Sequence, residues 1–182
     1  MASIISHSFV GYVFGKIFYS QETRKNFWFF SLLCPIIPDF DGIGFKLGIP
    51  YNHFLGHRGF THSFLFAALL SIIIVYFFFK KEKRFSSSWF FLVGYFFLIT
   101  ATHSLLDACT TGGLGVAFFS PFDTTRYFFP WRVIKVSPIG ITQFFSEWGI
   151  RVILSELLWV WFPLTSLLVI KLFFKKIVLK NK

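Results

Sequence analysis

Seven side chains able to ligate a metal, His7, Asp39, Asp41, His57, His62, His103 and Asp107, are set in a chain that is otherwise mostly hydrocarbon. A carboxylate or imidazole beside hydrocarbon is costly to keep unless it is paired or coordinated, so these residues read as one site. His103 and Asp107 stand four apart; on a helix both side chains leave one face and can grip the same cation, although a His and an Asp merely exposed at a helix end would be spaced alike. Asp39 and Asp41, in Pro38-Asp39-Phe40-Asp41-Gly42, follow a helix that proline stops. Two carboxylates this close repel unless one is protonated or a cation is shared, which makes them a chelating pair or, alternatively, a plain turn closed by glycine. The later glycine and acid positions do not fit an EF-hand. His57-Arg58-Gly59-Phe60-Thr61-His62-Ser63 sets two imidazoles five apart across a loop-to-helix junction, with Thr61 or Ser63 available as the cap. Gly59 permits a tight backbone there. Arg58 between the imidazoles suits a phosphate or a developing oxyanion, or else pairs with Asp39 or Asp41. Arg58 and Asp41 are the candidates for a catalytic role.

The elements that must carry these residues are apolar. The chain has 182 residues, 55% hydrophobic and 14% charged, with 30 Phe, outside the range of a soluble domain of this size. Continuous apolar stretches predict five helices, over about residues 4–19, 27–38, 61–79, 89–107 and 152–174. At 1.5 Å per residue the last three cross or nearly cross about 30 Å of hydrocarbon, and the second does not. Pro35 and Pro38 end the second helix, and Pro163 with Glu156 interrupts the last. The fold class expected is all-α, a polytopic membrane bundle of about five helices forming one domain over residues 1–182, with the ligands gathered at one end.

Charge sets the topology. Lys16, Arg24 and Lys25, then Lys80, Lys81, Lys83 and Arg84, then Lys171, Lys175, Lys176, Lys180 and Lys182 account for twelve of the 18 basic residues, and an alternating path puts all three groups on one, cytoplasmic, face. The same path carries all seven ligand candidates to the opposite face. The net charge of +10 is thereby explained by lipid headgroups and topology, and no nucleic-acid partner is expected. The N-terminus lacks a basic n-region and an A-x-A-like cleavage site, so the first helix is expected to remain in the mature protein. Residues 108–150 form a long external loop region expected to roof the site.

Other candidates are weaker. Cys34 and Cys109 lack any C-x-x-C pairing, so a metal would be held by nitrogen and oxygen. His53 is expected to be a loop histidine or to support a ligand. Arg126, Arg132 and Lys135 would neutralise an anionic substrate or meet headgroups. Glu147 and Glu156 would supply a ligand or a base, Glu156 being otherwise expected to pair with Arg151 or Arg132.

In that order, His7, the P-D-x-D at 38–41, H-R-G-x-T-H-S at 57–63 and H-x-x-L-D with Thr-x-Gly at 103–113 resemble the YdjM-like family of membrane-bound, predicted metal-dependent hydrolases. The resemblance spans nearly the whole chain and implies an integral inner-membrane helical protein of a prokaryote with a hydrolytic metal centre. More distantly, the order is similar to that of the zinc-dependent phospholipase C class, but the H-x-x-x-E element of that class has no counterpart here.

The reading that follows is a membrane-embedded hydrolase with one or two divalent ions, zinc first and then manganese or iron, opening at the external face toward a lipid or lipid-linked phosphoester. Asp39 or Asp41, His57, His103 and Asp107 would hold one ion, with His7 and His62 completing a second position or orienting the first. A non-catalytic regulatory protein with a structural metal is the alternative. A transporter is disfavoured because the polar residues sit at helix ends, and haem binding because carboxylates adjoin the histidines.

Overall fold

Serine begins four of the helices. The hydroxyls of Ser3, Ser63, Ser86 and Ser146 accept from the backbone N–H groups of Ser6, Phe66, Trp89 and Trp148, so each apolar run starts with a satisfied donor. In the computed structural model, which describes residues 1–19, 23–138 and 140–180, these caps open α1 (Ile4–Phe18), α4 (Phe64–Phe78), α5 (Ser87–Ala108) and α7 (Glu147–Glu156). Between them lie α2 (Lys25–Leu33), a 3₁₀ stretch (Ile37–Gly42), the short α3 (Ile43–Lys46), a single 3₁₀ turn (Phe60–His62) and α6 (Ile141–Phe144); α8 (Phe162–Lys180) closes the chain. The fold is all-α, with no strand among the described residues beyond two isolated bridges, Thr110 to Ile134 and Val116 to Tyr127.

Three elements differ from their sequence reading in length, the second helix ending at Leu33 rather than at 38. The third predicted helix starts at Phe64, not 61, because Ser63 takes extended backbone to cap it; its 15 residues rise roughly 22 Å, short of the hydrocarbon thickness. The last helix is not interrupted. Residues 147–177 run through Pro163 as one helix of 31 residues, because Leu157–Trp161 widens to π geometry, with Phe162 N–H bonded five residues back to Leu157 O. That wider turn accommodates a proline ring that an α-helical ladder would reject. By length and composition this helix and α5 can each cross a membrane, and α2 with Ile37–Lys46 forms a third candidate bent by 50°.

α1 meets α2 at very short range. A Cβ on Gly11 would stand 1.8 Å from Ser31 O, so only glycine allows the contact. Tyr95 of α5 fixes both helices, its hydroxyl bonding Gly11 O at 3.1 Å and Ser31 Oγ at 2.8 Å. Phe27, Phe30, Phe79, Trp89 and Phe96 fill the space around it.

The basic groups gather at one end. Arg24 of the α1–α2 turn pairs with Glu82 of the α4–α5 turn at 2.8 Å, and the Lys171 amine of α8 bonds the carbonyls of Lys16 and Ile17. Lys182 lies outside the described residues. The loop region of residues 108–150 is packed, with Val116, Ala117 and Ile134 buried, and it covers the far end by bonding Arg58 O through Ala117 N at 3.0 Å.

Candidate metal centre

Four elements deliver the seven ligand candidates to that covered end. Pro38 has no N–H to satisfy Pro35 O three residues back, and Asp39 N bonds Ile36 O instead. The Pro35 carbonyl is therefore available, and His103 Nδ1 lies 2.7 Å from it. His62 Nδ1 lies 3.1 Å from Asp41 Oδ2. With these oxygens as acceptors, each imidazole in its neutral form places its proton on Nδ1 and turns Nε2 inward, where the two Nε2 atoms stand 3.0 Å apart.

Asp39 Oδ1 is 3.6 Å from His62 Nε2 and 3.5 Å from His103 Nε2. Asp107 Oδ2 is 3.6 Å from the first and 3.9 Å from the second. Three of these four separations fall within the roughly 3.3–3.6 Å edges of a tetrahedron around an ion with ligands at about 2.0–2.2 Å, while the fourth is longer and the two Nε2 atoms stand closer. Asp39, His62, His103 and Asp107 therefore form a group that could hold a metal ion. Their side chains are no more than 4% exposed, and both oxygens of Asp39 are buried without a hydrogen-bond partner in the described structure. Buried polar atoms are normally satisfied, and a cation held here would satisfy this carboxylate.

Asp41, His57 and His62 form a second group, built differently. Asp41 Oδ1 is 2.6 Å from His57 Nδ1, and its Oδ2 accepts from Thr61 Oγ1 at 2.6 Å and Arg58 N at 3.1 Å. The 2.6 Å contact of Asp41 with His57 is a hydrogen-bond separation, and both residues stand beside His62. His62 rather than His57 is grouped with His103 and Asp107, and His57 falls in the second group with Asp41.

Arg58 is wholly buried at φ +62° and pairs with neither Asp39 nor Asp41 through its side chain. Its Nε lies 3.1 Å from Asp107 Oδ2, while Nη1 bonds Gly112 O at 2.8 Å and Nη2 bonds Thr110 Oγ1 at 3.0 Å. Asp107 Oδ1 accepts from Ala2 N at 2.8 Å. His7 stacks on His103 at 3.9 Å between ring centroids and reaches to 3.5 Å from Asp107 Oδ1, with both ring nitrogens unpartnered.

Two histidines outside the spanning helices respond to this field. Burial holds His57 below its ordinary pKa, against the pull of Asp41. Burial would lower His62 as well, but Asp107, Asp39 and Asp41 outweigh it and push the value up to about 10, a measure of how strongly the cluster favours positive charge at that position.

The remaining candidates lie elsewhere. His53 caps its own turn, accepting from Leu55 N. Glu147 faces Arg151 at 3.8 Å on the surface. Glu156 is buried and pairs with neither arginine; it accepts from Ser3 N and Ser3 Oγ, both at 2.5 Å, and from Ser6 Oγ at 2.7 Å, fastening the last helix to the start of α1. Arg126 bonds the His57 and Tyr51 carbonyls, and Arg132 lies over Phe128. Sequence reasoning missed Pro35 O, Thr61 and Thr110 as partners; the Pro-x-x-Pro spacing held the signal for the first, while the other two depend on a loop closing over the helix ends.

Relatives share this chain's full extent. The inner membrane protein YbcI of Escherichia coli (strain K12) is 36% identical over 165 residues, covering 90% of this chain and 92% of YbcI. No solved structure matches. The profile of the YdjM inner membrane protein family matches residues 1–178, and the chain belongs to that family of membrane proteins.

Proposed function

We propose that this chain is a membrane-embedded hydrolase that holds one divalent cation between Asp39, His62 and His103, with Asp107 on the fourth side. The observation that carries the proposal is Asp39, a buried carboxylate whose two oxygens lack partners beside two Nε2 atoms 3.0 Å apart. Imidazole and carboxylate without thiolate suit zinc, then manganese or iron. When bound, such an ion supplies a Lewis acid that polarises a phosphoryl or carbonyl group and makes water easier to deprotonate.

The chain's own residues do the rest. Arg58 and Ala2 N hold the Asp107 carboxylate in place, where it would accept a hydrogen bond from an attacking water and orient it. Asp41 sets the His62 tautomer and His57 holds Asp41, so Arg58 and Asp41 act through Asp107 and His62 rather than on the substrate. The basic residues at the opposite end support an extracytoplasmic site by the positive-inside rule, and a site at that headgroup layer favours a lipid or lipid-linked phosphoester.

Burial of the cluster favours a second reading, a structural metal closed by four protein ligands. The test is metal analysis of the purified protein together with phosphatase and phosphodiesterase assays on lipid and generic esters. Wild type should carry one ion per chain, His62→Ala and Asp39→Asn should lose it, and Asp107→Asn should keep metal while losing hydrolysis. Metal retained in the first two variants while they remain folded refutes the site. Metal lost in Asp107→Asn, with no hydrolysis by wild type, supports the structural reading.

A further inference from the structure

Outside the His57 loop lies a pocket of about 460 Å³, bounded by Asn52, His53, Gly59, Ser120, Thr124 and Arg126. The segment between His53 and Gly59 walls it on one side; on the other side the same segment supplies His57 to Asp41 and Arg58 to Asp107. The pocket and the metal centre therefore share one wall. We propose that this pocket binds the phosphoryl anion of the substrate, Arg126 taking the charge and Ser120, Asn52 and Thr124 supplying hydrogen bonds.

Three observations lead there. Arg126 is held in place through Nη1 to His57 O at 2.9 Å, Nη2 to Tyr51 O at 2.9 Å and to His53 O at 3.4 Å, and lies over the Tyr51 ring, with no carboxylate at ion-pair distance among the described residues. A partly desolvated guanidinium so positioned favours an anion, and its planar fork suits phosphate oxygens. Ser120 is 1% exposed, and its hydroxyl lacks a hydrogen-bond partner in the described structure although it borders the pocket. A buried donor left so is satisfied by what enters. Finally, Asp123, the nearest acid in sequence, bonds within its own turn to Thr125 N and Tyr127 OH and does not pair with Arg126.

As the substrate-anchoring part of a hydrolase the pocket rests on the reading above, but its affinity for a phosphoryl group does not need the metal. The test uses the full-length protein in detergent, titrated with inorganic phosphate and separately with short-chain phosphatidic acid, binding being read by ³¹P line broadening and metal content measured on the same samples. Wild type should bind. Thr124→Glu, which adds a negative charge at an exposed position of the pocket in place of a hydroxyl, should weaken binding at least tenfold, as should Arg126→Ala, while Arg126→Lys should retain part of it. Metal content should stay unchanged in Thr124→Glu. Tighter binding of phosphatidic acid than of inorganic phosphate identifies a lipid headgroup as the ligand, and equal binding identifies a free phosphate. Failure of wild type to bind either probe, or equal affinity in wild type and Thr124→Glu, overturns the proposal. Binding that obeys these expectations in a protein free of metal leaves the pocket standing and removes the hydrolase.

Discussion

Replacing Arg58 tests how the covered end of the bundle is held together. Its guanidinium and the Asp107 carboxylate are both fully buried and 3.1 Å apart, and Gly112 O and Thr110 Oγ1 depend on it for a donor. Removing one member of a buried pair strands the other charge, at a cost of about 3–5 kcal/mol. The two orphaned acceptors raise this by about 1–3 kcal/mol each. Arg58→Leu should therefore lose a large share of the roughly 5–15 kcal/mol that keeps a domain folded. The effect should be measured with chelator present, so that any metal contribution is equal, by denaturant titration in micelles followed by circular dichroism. A cycle with Asp107→Asn should show coupling, the second substitution costing less once the first is made. The backbone gives an independent signature. Arg58 sits at φ +62°, where a side chain costs roughly 1–2 kcal/mol and glycine costs nothing, so Arg58→Gly should be more stable than Arg58→Ala. A loss under about 0.5 kcal/mol in Arg58→Leu, the range of an ordinary surface change, would refute the reasoning, as would Ala exceeding Gly in stability.

Other outcomes follow from the same geometry. Gly11→Ala should destabilise the protein by about 1–3 kcal/mol or more, as overpacking does, because its Cβ would collide with Ser31 O; thermal unfolding in detergent measures it. His57 titrates below its ordinary value in the folded state, so the unfolded chain takes up the proton first as pH falls. The stability that neutral His57 contributes is complete above about pH 6.5 and is lost as pH drops through its lower folded value, and His57→Asn should flatten that part of the stability curve measured between pH 7 and 4. Impermeant thiol reagents applied to intact cells should label a cysteine placed at Trp131 and not one at Lys81, in a Cys109→Ser background where Cys34 is buried; the reverse pattern would invert the proposed orientation.

Much of the candidate site was legible because each ligand stands at the end of an apolar run, and in a bilayer the alternating direction of such runs fixes which ends meet. His103 and Asp107 at helical spacing, and the Pro38 stop before Asp39, needed only local rules. What those rules could not assign was the role of each residue. Whether His57 or His62 faces Asp39 depends on where the helix after Ser63 begins, and Ser63 and Thr61 were both acceptable caps; the extended backbone at Ser63 decides it and turns His62 Nε2 inward. The sequence offered Arg58 only Asp39 or Asp41 as partners, and it is Gly112 and Thr110 of the covering loop that draw it to Asp107 instead. Glu156 seemed to need an arginine, yet the start of α1 satisfies it with one backbone donor and two hydroxyls.

The sequence by itself determined that this is a membrane helical bundle with imidazoles and carboxylates collected at the end opposite most of its lysines and arginines, because hydrophobic run length and charge placement act locally and additively along the chain. Only the tertiary structure decided which of those groups lie close enough to share one cation and which guanidinium has no carboxylate partner among the described residues, because hydrogen-bond partners separated by tens of residues are chosen by competition among nearly equivalent acceptors once the helices have packed.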